Sequence, residues 1–208
     1  MRPVGREVGP LLRQSLTLTD RGYIMVLGPT EYIDADAHHA IEGEPRQIRS
    51  DIVDYVNNHI EGRAVMMERW PNRKGEPHSH KFDRILEEAP VSAFLIYWPL
   101  GAKLHGLEFE LGMLVQKNKY LDFPGERIYI LQERGLLDDK GLAAEGEASV
   151  TEVVGMNEKG NRTRYHDDIY ALGAKVRVWD TQESLLRHVS EVKLEVHDLP
   201  AWNWARVA

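Results

Sequence analysis

Residues 101–112 read Gly-Ala-Lys-Leu-His-Gly-Leu-Glu-Phe-Glu-Leu-Gly and place two carboxylates, Glu108 and Glu110, in the first turns of a helix. Leu104, Leu107, Leu111 and Leu114 mark its apolar ridge. A helix N-terminus favours negative charge through its dipole and free amides, so dipole compensation is one account of both glutamates. The spacing points to chemistry for only one of them. Glu110 lies one turn beyond Gly106, whose missing side chain leaves room for a ligand. A carboxylate held there, shielded by Phe109 and the strand ends, can stabilise an oxocarbenium-like sugar or attack its anomeric carbon, which splits a glycosidic displacement into two easier steps. His105 or Glu108 would then serve as proton donor or ribose ligand. This chemistry calls for no metal and no cofactor.

Other chemistry-bearing residues are weaker signals. Arg46 and Arg49 open a helix where positive charge is unfavourable, which hints at an anion nearby, although solvated surface arginines are the simpler account. His38-His39, His78-x-His80 and His166-Asp167-Asp168 lack the third spaced ligand that a metal site needs. Trp70, Tyr97 and Trp98 read as core or loop packing, and Trp98, at a strand's carboxyl end, is also placed to meet a ligand. With no cysteine in the 208 residues, thiol nucleophiles, thiolate metal sites and disulfides are excluded, and the expected compartment is cytoplasmic. The 26 basic against 33 acidic residues leave a net charge of -7, which disfavours binding to a phosphate backbone. The longest apolar runs, such as Val91 to Leu100, are too short to span a bilayer, so no membrane partner is expected.

The elements that must position these residues alternate. Tyr23 to Leu27 is a continuous apolar run closed by Gly28-Pro29, the pattern of a strand buried on both faces. Pro45 opens a helix whose stripe is Ile48, Ile52, Val53, Val56 and Ile60. Ala64 to Met67 is a short strand; Phe82, Ile85, Leu86 and Ala89 are a helix stripe with Ser79 as its expected cap. Strands follow at Ser92 to Trp98, Arg127 to Leu131 and Lys175 to Trp179, the last leading into a helix opened by Asp180 or Thr181. Strands separated by helices imply right-handed crossovers and a parallel sheet covered on both faces, an α/β fold with five mainly parallel strands. Residues 1–21 read as an N-terminal leader, and 22–208 as one domain with an irregular insertion around 133–173. The aromatic tail beginning at Pro200 should dock. The oligomeric state stays open, a homo-oligomer included.

In such a sheet ligands bind beyond the carboxyl ends of the strands, so Gly28, Pro29, Trp98 and Glu110 are expected to line one cleft. Glu110 should titrate high if that cleft is apolar, unless helix amides or Arg49 offset the effect.

Gly28-Pro29 after the first strand, together with Gly106-Leu-Glu-Phe-Glu110-Leu-Gly112 after the third, resembles the nucleoside 2-deoxyribosyltransferase family over roughly residues 22–132. TIR domains look like more distant relatives. The resemblance implies a flavodoxin-like three-layer fold, with Glu110 as the nucleophile that takes a deoxyribosyl group from a base. The family's threonine is Leu107 here, and its Tyr-x-x-Gly-Pro tyrosine falls on Met25. Residues and resemblance together lead to the expectation of an N-glycosidic hydrolase or transferase acting on a small-molecule nucleoside, nucleotide or NAD-like substrate. Gly28, Pro29, Trp98, Gly106 and Arg49 would shape its pocket. The alternative is a noncatalytic nucleotide-sensing or protein-interaction module on the same fold.

Overall fold

A computed structural model describes residues 22–33, 39–59, 64–89, 91–103, 105–121, 123–134, 172–196, 199, 201 and 202. The expected leader, most of the expected insertion, His38 and residues 166–168 lie outside the described residues. The elements are β1 (Tyr23–Leu27), α1 (Pro45–His59), β2 (Ala64–Met66), α2 (His78–Glu88), β3 (Val91–Trp98), α3 (His105–Leu121), β4 (Ile128–Glu133), β5 (Lys175–Trp179) and α4 (Gln182–Val196). Five strands form one sheet in the order β2-β1-β3-β4-β5, and every pairing is parallel. This is the α/β flavodoxin-like arrangement, whose strand order reverses between β1 and β3.

The apolar runs form the middle of the sheet because both of their faces are covered. In β1, Tyr23, Met25 and Leu27 join a core with Phe82, Ile85, Leu107, Leu111 and Leu114 of α2 and α3. Ile24 and Val26 point the other way, into a core with Ile48, Ile52, Val53 and Val56 of α1 and Leu185, Val189 and Val192 of α4. Each such side chain contributes about 1.5–3 kcal/mol by leaving water. β3 is buried along its whole length and pairs with β1 and β4. β5 closes the edge half-buried.

Three local details differ from the expectation or sharpen it. Ser79 does not cap α2: the helix starts one residue earlier, with Pro77 in extended backbone at its N-cap and no side-chain cap bond. Thr181 does cap α4, its Oγ1 accepting from the Ser184 amide at 3.1 Å while Ser184 Oγ accepts from the Asp180 and Thr181 amides at 3.1 and 3.0 Å. β4 runs on to Glu133, so the segment between β4 and β5 begins later than 133. The tail docks through Trp202, whose amide donates to Val91 O at 3.0 Å. Its ring meets Phe123 edge-on at 5.7 Å, with the Arg127 guanidinium 5.6 Å from the ring centre. Among the described residues no helix is long and apolar enough to cross a membrane.

Candidate functional site

The residue that follows β1 is Gly28, at φ +146°. A Cβ there would stand 2.5 Å from the Tyr97 carbonyl oxygen and 3.0 Å from Arg49 Cδ, so the position excludes any side chain. α1 and α3 cover opposite faces of the sheet, and at this bare position their side chains converge. The Gly28 amide donates to Glu110 Oε2 at 3.3 Å, joining positions 82 residues apart. Glu110 is only 3% exposed. Burial pushes its carboxyl up to about 8; the Arg49 charge opposes the rise, the Glu68 charge adds to it, and the Gly28 hydrogen bond opposes it.

Arg49 is completely buried and gives both terminal nitrogens to Glu68. Nη1 lies 3.4 Å from Glu68 Oε2, and Nη2 makes a short bond to Oε1. Its Nε has no hydrogen-bond partner among the described residues. One guanidinium therefore stands between the fields of two carboxylates, one sealed and one that reaches solvent. Glu68, with 18% of its side chain exposed, is the group that faces outward.

Glu68 opens onto a cleft of about 720 Å³ beyond the carboxyl ends of β1 and β2. Thr30, Glu31, Arg46, Gln47, Ser50 and Arg69 also line it. The space lies toward β2 rather than between β1 and β3, because the loops leaving those two strands bond to each other. Tyr32 and Ala102 form an antiparallel bridge, the Ile33 amide donates to Gly101 O at 2.7 Å, and the Lys103 amide donates to Glu31 O at 3.0 Å. Tyr32 stacks on His39 with ring centres 3.4 Å apart. Behind this bridge lies a second buried carboxylate, Glu133, which accepts from the Leu100 amide at 2.7 Å. Burial raises its pKa, against the Leu100 and Ala40 amides and the charge of His39.

The structure thus brings Gly28, Arg49 and Glu110 together. Pro29 and Trp98 are buried beside them in the chain path. None of Gly28, Pro29, Trp98 and Glu110 is among the residues that line this cleft. Arg49 is likewise no solvated surface residue, and its anion is Glu68. Gly106 is exposed with open space where a Cβ would point. His105 and Glu108 occupy the first and fourth positions of α3, and their side chains lie outside what the structure describes.

Sequence reasoning missed Glu68 and Glu133. The available signal was position, since Glu68 is the middle residue of the 3-10 turn Met67–Arg69 that follows β2, and Glu133 is the last residue of β4. Among the described residues no group of three or more His, Asp or Glu side chains is placed to hold a metal ion. Comparison of the chain with protein-family models, with curated proteins and with solved structures finds no match.

Proposed function

We propose that this chain cleaves or transfers N-glycosidic bonds of a nucleoside, nucleotide or NAD-like substrate, with Glu110 as the carboxylate that meets the sugar's anomeric carbon. The observation that carries the reading is the seating of Glu110: a sealed carboxyl at the strand-order reversal, one oxygen fixed on the Gly28 amide, within the field of a buried arginine. In its ionised form Glu110 attacks C1′, the C1′–N electron pair leaves with the base, and a proton joins the base nitrogen. Water or an acceptor then attacks C1′ and releases the carboxylate. The raised pKa means that the ionised form is the minor one in the empty protein at neutral pH, so turnover should rise with pH toward about 8.

A second reading, a noncatalytic nucleotide-sensing or interaction module on the same fold, is favoured by one observation. Glu110 is 3% exposed, and the open cleft is lined by other residues. Incubation with a panel of nucleosides, nucleotides and NAD, with free base followed by chromatography, separates the two. Base release supports the enzyme, and saturable binding with no release across the panel supports the module.

A further inference from the structure

Glu68 stands at the carboxyl end of the strand beside β1, and its placement narrows the substrate class of the site just described. We propose that Glu68 is the acceptor for a ribose 2′,3′-diol, so that the cleft beyond β1 and β2 takes ribonucleosides and ribonucleotides in preference to their 2′-deoxy forms. This inference rests on the nucleoside reading of the site.

Position carries the first part of the argument. In dinucleotide-binding doubly wound sheets an acid past the second strand, the neighbour of the first, accepts hydrogen bonds from the ribose hydroxyls. Here Glu68 comes two residues after β2, which pairs with β1 in register Val26 to Met66. Geometry carries the second. Both oxygens of Glu68 are engaged by Arg49, whose side chain is fully buried, so the carboxylate is held rather than mobile. A carboxylate has about four acceptor positions, and two guanidinium bonds leave the others for donors from the cleft. Two vicinal hydroxyls supply such donors, and a 2′-deoxy sugar lacks one of them.

The charges of the cleft argue against a 2′-phosphate, because Glu31, Glu44 and Glu68 outnumber Arg46 and Arg69 in its lining. Arg69 bonds both Asp54 oxygens, at 2.6 and 2.8 Å, and also contacts Ser50, so its guanidinium is committed within the protein. A 2′-phosphate would face Glu68 with like charge. The cleft's volume, about 720 Å³, lies within the range of small-ligand sites and has room for a nucleoside.

The test is calorimetric titration of the full chain with adenosine, 2′-deoxyadenosine and adenosine 2′-monophosphate. One charge-assisted hydrogen bond corresponds to about a tenfold or larger difference, so adenosine should bind at least about tenfold more tightly than either of the others. In Glu68→Gln that preference should collapse through weaker adenosine binding, with 2′-deoxyadenosine little changed. The comparison of ligands on the parent chain stands even if the variant folds poorly. Equal or tighter binding of 2′-deoxyadenosine, or no binding of any of the three, overturns the proposal. Base release from deoxyribonucleosides without ribose preference would overturn it while leaving the glycosidic reading intact. Diol-selective binding with no base release would do the reverse.

Discussion

Replacing Glu110 by Gln should change stability in a way that depends on pH, with a sign and size set by the burial of this one carboxyl. The unfolded chain titrates Glu110 near 4.5 and the folded chain at about 8. Below pH 4.5 both states hold the proton and the residue makes no pH-linked contribution. Between 4.5 and 8 the unfolded state ionises while the folded state does not, so the folded state binds more protons and stability falls as pH rises. Above about 8 the full penalty is reached. At 1.36 kcal/mol for each pH unit of separation this is at most about 5 kcal/mol, which structural relaxation reduces. Glutamine has nearly the same shape and never ionises. The variant should therefore lie within about 1 kcal/mol of the parent at pH 5 and be more stable by roughly 2–5 kcal/mol at pH 9. Urea unfolding read from the fluorescence of the 5 tryptophans between pH 5 and 9 measures both. Glu133, whose pKa burial also raises, contributes in the same direction to parent and variant and cancels in the difference. A difference that does not change with pH would refute the burial argument for Glu110.

Gly28→Ala should destabilise by about 2–4 kcal/mol in urea unfolding, because its Cβ meets the Tyr97 carbonyl at 2.5 Å in a backbone conformation that L side chains rarely adopt. Arg49→Met leaves Glu68 and Glu110 without their shared counter-charge. It should cost about 3–5 kcal/mol and move the Glu110 titration upward, measured by NMR on carbon-labelled glutamate, whereas a downward move would contradict the assigned electrostatics. Trp202→Ala removes the contacts to Phe123 and Arg127 and should lower stability by about 2 kcal/mol in the same unfolding experiment.

How much of this was legible depended on whether a residue's burial followed from its own type. Tyr23 to Leu27 and Val91 to Trp98 are apolar throughout, and only the interior of a doubly covered sheet hides both faces of such runs, so the parallel fold could be read directly. Glu110 was singled out from the glycine one turn earlier, yet Gly106 is exposed and Glu110 is seated instead on the Gly28 amide, which spacing along the helix did not show. Arg49 could not be placed by charge alone, yet it stands three and four residues before Ile52 and Val53 on the buried stripe of α1, a spacing that announces a buried side chain. Glu68 and Glu133 gave no periodic signal. Each stands at the carboxyl end of a strand, and its role depends on partners 19 and 33 positions away, the Arg49 side chain and the Leu100 amide. The displacement of the cleft toward β2 was equally hidden, because it follows from hydrogen bonds between two loops whose sequences do not show that they pair.

The most direct test of Glu110 as the reacting carboxylate is the rate of base release at pH 8–9 by the parent chain, Glu110→Gln and Glu108→Gln, using the panel member the parent turns over fastest. Circular dichroism on the same samples verifies the fold. The account predicts release by the parent, a fall of about a hundredfold or more in Glu110→Gln with structure and substrate affinity retained, and a smaller fall in Glu108→Gln. Release by Glu110→Gln at the parent rate, or no release by the parent from any member of the panel, would contradict it.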